Sequence, residues 1–172
     1  MKQIFAVFFF LTVSALAQLA TPALNTQAVN GTFYLTIDDS ARVLVNGVEA
    51  HYNAKTGKYQ SKEVALKPGD HVVVQLKNVQ NPRYLLMAFQ STDKKSVVSF
   101  NHQSFKLLPT IDAKDFTPED FAKLSKYAKA DPTRKRDNTI PFKHTSEYMW
   151  GEFDECALGC IITSQMFVPV RQ

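Results

Sequence analysis

Strand periodicity over residues 32–47 constrains this chain more than any other feature. Phe33, Leu35 and Ile37 alternate with Tyr34 and Thr36, a period of two. Beyond the polar group Asp38-Asp39-Ser40, Val43 and Val45 share one face and Arg42 and Leu44 the other. Asn46-Gly47 then tolerates positive φ and marks a tight turn. The stretch reads as an antiparallel hairpin, reversing at residues 38–40, that seeds a β-sandwich.

The same texture continues downstream. Residues 62–66 read as a short strand with Val64 and Leu66 on one face, and Lys67-Pro68-Gly69-Asp70 as a turn. Residues 71–77 form the most apolar strand, expected at a sheet centre, and Asn81-Pro82 breaks the run after it. Residues 83–90 read as a second buried strand, 91–95 as a polar turn, 96–100 as a further strand and 161–168 as the closing one. Strands at short intervals with turns between them indicate a mainly β, antiparallel sandwich of jelly-roll type, not βαβ units. One helix is expected before the closing strand. Thr117-Pro118-Glu119-Asp120 carries a capping threonine, a proline at the first helical position and acids in the first turn. Phe121, Leu124 and Ala128 would face inward, Lys123, Lys126 and Lys129 would form a solvated face, and Asp131-Pro132 would end the helix.

The N-terminus has the layout of a secretory leader. Met1-Lys2-Gln3 is followed by an apolar core with Phe5, Phe8, Phe9, Phe10 and Leu11, then the small-x-small motif Ala15-Leu16-Ala17. The core is too short to span a bilayer. The expected organisation is a signal peptide over 1–17, an arm over 18–30 and one β domain over 31–172. No membrane span is expected. Twenty basic residues stand against 16 acidic, a net charge of +4 of which Lys2 leaves with the leader. So mild an excess, on an exported chain, does not point to nucleic acid.

Export places the two cysteines, Cys156 and Cys160, in an oxidising compartment, where a disulfide between them is expected. So short a loop stabilises by only about 2 kcal/mol. The four histidines, His51, His71, His102 and His144, show no metal-ligand spacing with them. Asn30-Gly31-Thr32 is an N-glycosylation sequon, relevant in a eukaryotic secretory pathway. Arg134-Lys135-Arg136 is a basic triplet expected in an exposed loop, with proteolytic processing the sharper alternative.

Four segments together resemble a known architecture: residues 33–39 (FYLTIDD), 43–47 (VLVNG), 64–69 (VALKPG) and 72–78 (VVVQLKN). An acidic pair, a strand ending in Asn-Gly, a Pro-Gly turn and an apolar strand ending in asparagine are similar to galactose-binding-domain-like jelly rolls. Tyr148-Met149-Trp150 and the strand to Val168-Pro169 resemble the end of such domains. The resemblance covers residues 31–100 well and 145–170 loosely. It implies a β-sandwich whose relatives bind carbohydrate or serve as adhesion and accessory domains. A more distant resemblance, to PA14-type sandwiches, implies that an Asp-Asp pair helps hold a calcium ion that binds sugar hydroxyls.

The chemistry of these residues defines the candidate site. Calcium takes roughly six to eight oxygens. Asp38 and Asp39 offer carboxylates at one loop, and Asn46 adds an amide oxygen if the hairpin closes. The plainer reading makes the acid pair an Asx-type turn. Sugar recognition without metal needs an aromatic platform beside planar polar groups. His51, Tyr52 and Tyr59 flank a polar loop and are expected to be exposed, whereas Trp150, the only tryptophan, is more simply a core residue. The candidate ligand-binding set is therefore Asp38, Asp39, Asn46, His51, Tyr52, Tyr59 and Trp150. The chain shows no G-x-S-x-G, H-E-x-x-H or phosphate-cradling glycine loop, so catalysis is not expected. Two functions remain open: a secreted glycan-binding module, with calcium as its one candidate cofactor, and an adhesive or structural matrix protein.

Overall fold

The computed structural model describes residues 27–79, 82–108, 124, 127–131, 133–134, 139–150 and 159–165, the last segment and Leu108 by backbone alone. These residues form two antiparallel sheets. The first contains β1 (Val29–Asp38), β4 (Gly57–Gln60), β5 (Val64–Leu66), β7 (Tyr84–Ser91), β8 (Val97–Ser99), β10 (Lys129–Ala130) and β11 (Met149–Trp150). The second contains β2 (Ser40–Val45), β3 (Val48–Asn53), β6 (His71–Lys77), β9 (Lys106–Leu108) and β12 (Gly159–Gln165). Strand order is β10-β11-β7-β1-β4 in the first, with β5 added to β1 and β8 to β7, and β3-β2-β6-β12-β9 in the second.

Period-two alternation turns one face of each sheet inward. Phe33, Leu35 and Ile37 of β1 and Leu85, Met87 and Phe89 of β7 are at most 1 % exposed. They join Ala41, Val43 and Val45 of β2 and Val72, Val74 and Leu76 of β6 in one apolar cluster, with Phe100, Phe105 and Leu107. Phe33 packs edge-on against Phe89 at 5.4 Å, and Phe100 lies tilted against Phe105 at 5.3 Å. Each such side chain stabilises by about 1.5–3 kcal/mol, against about 1 kcal/mol for a ladder hydrogen bond. Burial therefore decides which face turns in. β7 is buried on both faces, because Leu86 and Ala88 pack under Ile140 and Tyr148. That explains its unbroken apolar run.

The segment covering the outer face of the first sheet is tied down at several points. Phe142 meets the Tyr34 ring at 4.9 Å, and Thr36 Oγ1 donates to Thr139 Oγ1 at 2.9 Å. The Arg134 guanidinium stacks 3.7 Å from the Tyr84 ring and pairs with Asp131 at 3.3 Å. Arg134 is thus packed against the sheet, in contrast to the exposed loop expected of the basic triplet.

The structure corrects three expectations. β1 and β2 are not a hairpin, since they lie in different sheets. Only Asp39 separates them, and one residue cannot reverse a chain into its own ladder. β1 also pairs with β7 on one side and with β4 and β5 on the other, which leaves β2 no free edge. The hairpin forms one turn later. Val45 pairs with Val48 across Asn46 (φ 48°) and Gly47 (φ 80°), the positive pair that a two-residue turn demands. The expected helix does not reach Asp131. Tyr127 bridges to Lys106 and Lys129–Ala130 pair with Met149–Trp150 as strand, burying Ala128 between exposed neighbours. Residues 117–123 lie outside the described residues. Finally, the arm ends earlier than residue 30, because Val29 and Asn30 already belong to β1 and pair with Leu66 and Ala65.

β6 sits at the centre of its sheet, as its apolar run requires. The Lys67–Asp70 turn forms as read, with Gly69 at φ 86° and the Asp70 carboxylate accepting the Lys67 N–H at 2.9 Å. Residues 1–17 and Cys156 lie outside the described residues. Cys160 is placed in β12 opposite Leu76 by its backbone only, so the disulfide also lies outside them. No helix among the described residues is long and apolar enough to cross a membrane.

Candidate functional site

The candidate residues separate into five places. Asp38 and Asp39 sit where the chain crosses between sheets. The Thr56 hydroxyl donates to Asp38 Oδ1 and lies 3.3 Å from Asp39 Oδ1. The Val79 N–H donates to Asp39 Oδ2 at 2.5 Å, and Asn53 Nδ2 to the Asp39 carbonyl at 3.3 Å. Asp38 is 6 % exposed. Its burial pushes the carboxyl up from 3.8, and the adjacent Asp39 adds to the rise, while the Thr56 hydrogen bond and the charge of Arg134 oppose it. The two carboxylates are thus tied to Thr56 and Val79, both distant in sequence, at the crossover between the sheets.

Asn46 is elsewhere. It lies at the far end of β2 from Asp39, and six strand residues span about 20 Å. Its Oδ1 accepts the His71 N–H at 2.9 Å and its Nδ2 donates to Asp70 at 3.0 Å. The proposed union of Asn46 with Asp38 and Asp39 around one calcium ion is thereby corrected, because it depended on a hairpin that does not form. Among the described residues, no three His, Cys, Asp or Glu side chains converge as metal ligands.

His51 and Tyr59 meet between the edge strands β3 and β4, with ring centroids 5.3 Å apart. The Tyr59 hydroxyl donates to the Lys55 carbonyl at 2.6 Å. Both rings are half-buried, not exposed as expected of loop residues. Burial lowers the His51 imidazole from 6.5, with Asn53 and Glu49 pulling the other way, so the ring is neutral near pH 7. Trp150 is 3 % exposed in the main cluster and presents no face to a ligand. That corrects its place in the ligand-binding set, since its burial in the core leaves no ring face for stacking.

Tyr52 alone among the candidate aromatics is exposed, at 56 %. Strand pairing puts it on the outer face of the second sheet, directly opposite Arg42, which in turn lies opposite Gln75 on β6. The guanidinium lies 5.4 Å from the centre of the Tyr52 ring. Arg42 Nε pairs with Glu49 Oε2 at 3.0 Å, both side chains about half exposed. A bulge between Val43 and Leu44 sets Glu49 opposite Leu44, on the Arg42 side of the sheet. The result is a cross-strand row, Tyr52-Arg42-Gln75, with Glu49 at its flank.

Alternation places Arg42 on the face opposite Val43 and Val45 but does not show its partners. Alternation shows which face a residue takes, whereas register between β3, β2 and β6 determines what stands beside it. Chemically, the row offers a flat ring for stacking, a planar guanidinium, an amide and a carboxylate. It carries no nucleophile paired with a base. No protein-family model, curated protein or solved structure matches the chain.

Proposed function

We propose that this chain is a secreted, non-catalytic carbohydrate-binding module of lectin type, built on a jelly-roll β-sandwich. One observation carries the reading: an exposed tyrosine in line with planar polar side chains on the outer face of the second sheet. Sugars bind through their C–H faces on an aromatic ring and through hydroxyls on paired donors and acceptors. Tyr52 supplies the first, and Arg42, Gln75 and Glu49 the second. The likeness of residues 33–39, 43–47, 64–69 and 72–78 to galactose-binding-like domains supports the same class of ligand. The leader motif supports export, to where an extracellular glycan or matrix component would be the partner. In this reading the sugar is held without calcium.

A glycan array with and without EDTA tests the proposal, using the wild type and Tyr52→Ala. Binding that survives EDTA and is lost in Tyr52→Ala is expected. A protein that ignores every glycan but self-associates or co-purifies with an insoluble matrix would favour the adhesive alternative.

A further inference from the structure

We infer that the ligand of the sheet face is a neutral glycan of at least two rings, lying across the strands along Tyr52, Arg42 and Gln75. The inference rests on the carbohydrate-binding reading and adds the class and size of the sugar.

Charge argues for neutrality. The excess of basic residues that remains once Lys2 has left with the leader would suggest an acidic polysaccharide. At the row itself, however, the guanidinium is already paired with Glu49 at 3.0 Å, and the same carboxylate would repel a sulfate or carboxylate approaching Arg42. An acidic glycan would have to break that pair. A neutral sugar can use it intact, donating a hydroxyl to Glu49 while accepting from Arg42. Lys77 stands one pleat beyond Gln75, opposite Ser40, at the margin of the row.

Geometry argues for length. Directly opposed side chains on neighbouring strands stand about 5 Å apart. From β3 through β2 to β6 the row covers two such intervals, about 10 Å, the reach of a disaccharide. A single ring stacked on Tyr52 would not reach Gln75. The ring stands at the sheet margin, because β3 is the outermost strand, and the polar groups extend inward from it. A chain of sugars therefore has one seated ring and a second ring on the polar groups.

Titration calorimetry with neutral gluco-, galacto- and chito-oligosaccharides of one to four rings, and with heparin, tests this at low and high NaCl. Affinity should rise about tenfold from one ring to two and little thereafter, with no salt dependence. Tyr52→Ala should weaken binding of the preferred disaccharide at least about tenfold. Gln75→Ala should bring the two-ring affinity down to the wild type's one-ring value. Circular dichroism and the urea midpoint confirm that each exposed-face variant is folded. Tighter binding of heparin that falls steeply with salt would overturn the neutral class, and a one-ring affinity equal to the two-ring affinity would overturn the length. Either result would leave carbohydrate binding standing. Absence of binding to every sugar on the array would remove both.

Discussion

Gly31→Ala tests how closely β1 and β7 approach each other within the first sheet. Gly31 is paired on both sides, with Ser91 of β7 and Val64 of β5. A Cβ built there would stand 2.3 Å from the Gln90 carbonyl oxygen and 2.3 Å from Phe89 Cζ. Neither obstacle yields cheaply. The carbonyl belongs to the backbone of a ladder strand, and the Phe89 ring is wedged against Phe33 in a fully buried core. Overpacking of this kind costs about 1–3 kcal/mol, and a backbone obstacle puts it at the upper end. Removing glycine's freedom from the unfolded chain returns at most about 1 kcal/mol. The net loss is therefore about 2 kcal/mol, or a fall in Tm of roughly 4–8 °C for a domain of this size. Urea unfolding followed by the fluorescence of buried Trp150 measures it. The glycosylation sequon accepts any central residue except proline, so glycan occupancy does not confound the comparison. Adding Phe89→Leu should not restore stability, because the carbonyl contact persists. Gly47→Ala provides the contrast. A Cβ there meets nothing within 4 Å, so only the cost of φ 80° remains, about 1 kcal/mol. A Gly31→Ala midpoint indistinguishable from wild type would refute the close approach of β1 and β7.

Three other outcomes follow from the site. The Asp38 carboxyl is raised in the fold, so the folded protein binds that proton more readily than the unfolded chain; its contribution should improve as pH falls from neutrality toward 3.8, and the stability difference between wild type and Asp38→Asn in pH-dependent urea titrations should shift in favour of wild type over that window. Asp39→Ala removes the acceptor of the Val79 N–H and should cost about 1–2 kcal/mol in urea while leaving glycan affinity and the indifference to EDTA unchanged; lost binding with an unaltered midpoint would instead mark the acid pair as a ligand site. Trp150, buried in the main cluster, should emit in the blue and not respond to saturating sugar, and ligand-dependent quenching would show that binding reaches the interior.

What could be read from residues alone was local. Alternation over residues 33–37 and 42–45 separated the two faces of β1 and β2 because a strand's period is a property of its own backbone. Asn46-Gly47 and Pro68-Gly69 announced their turns because φ preferences belong to single residues. The strand at 129–130 could not be read, since the short alternation at 127–130 acquires meaning only beside β9 and β11. Which sheet each strand joins was likewise hidden. Asp38-Asp39-Ser40 looks like a reversal until β7, β4 and β5 are seen to occupy both edges of β1. The candidate site divided along the same line. Tyr52 was found from its polar neighbourhood, whereas the alignment of Arg42, Gln75 and Glu49 beside it is a fact of register. Asn46 was drawn to the acid pair by a hairpin that never forms. Sequence sets the face of a side chain, because that is decided within a few residues; its neighbours are set by pairings tens of residues apart, which only the folded sheets decide.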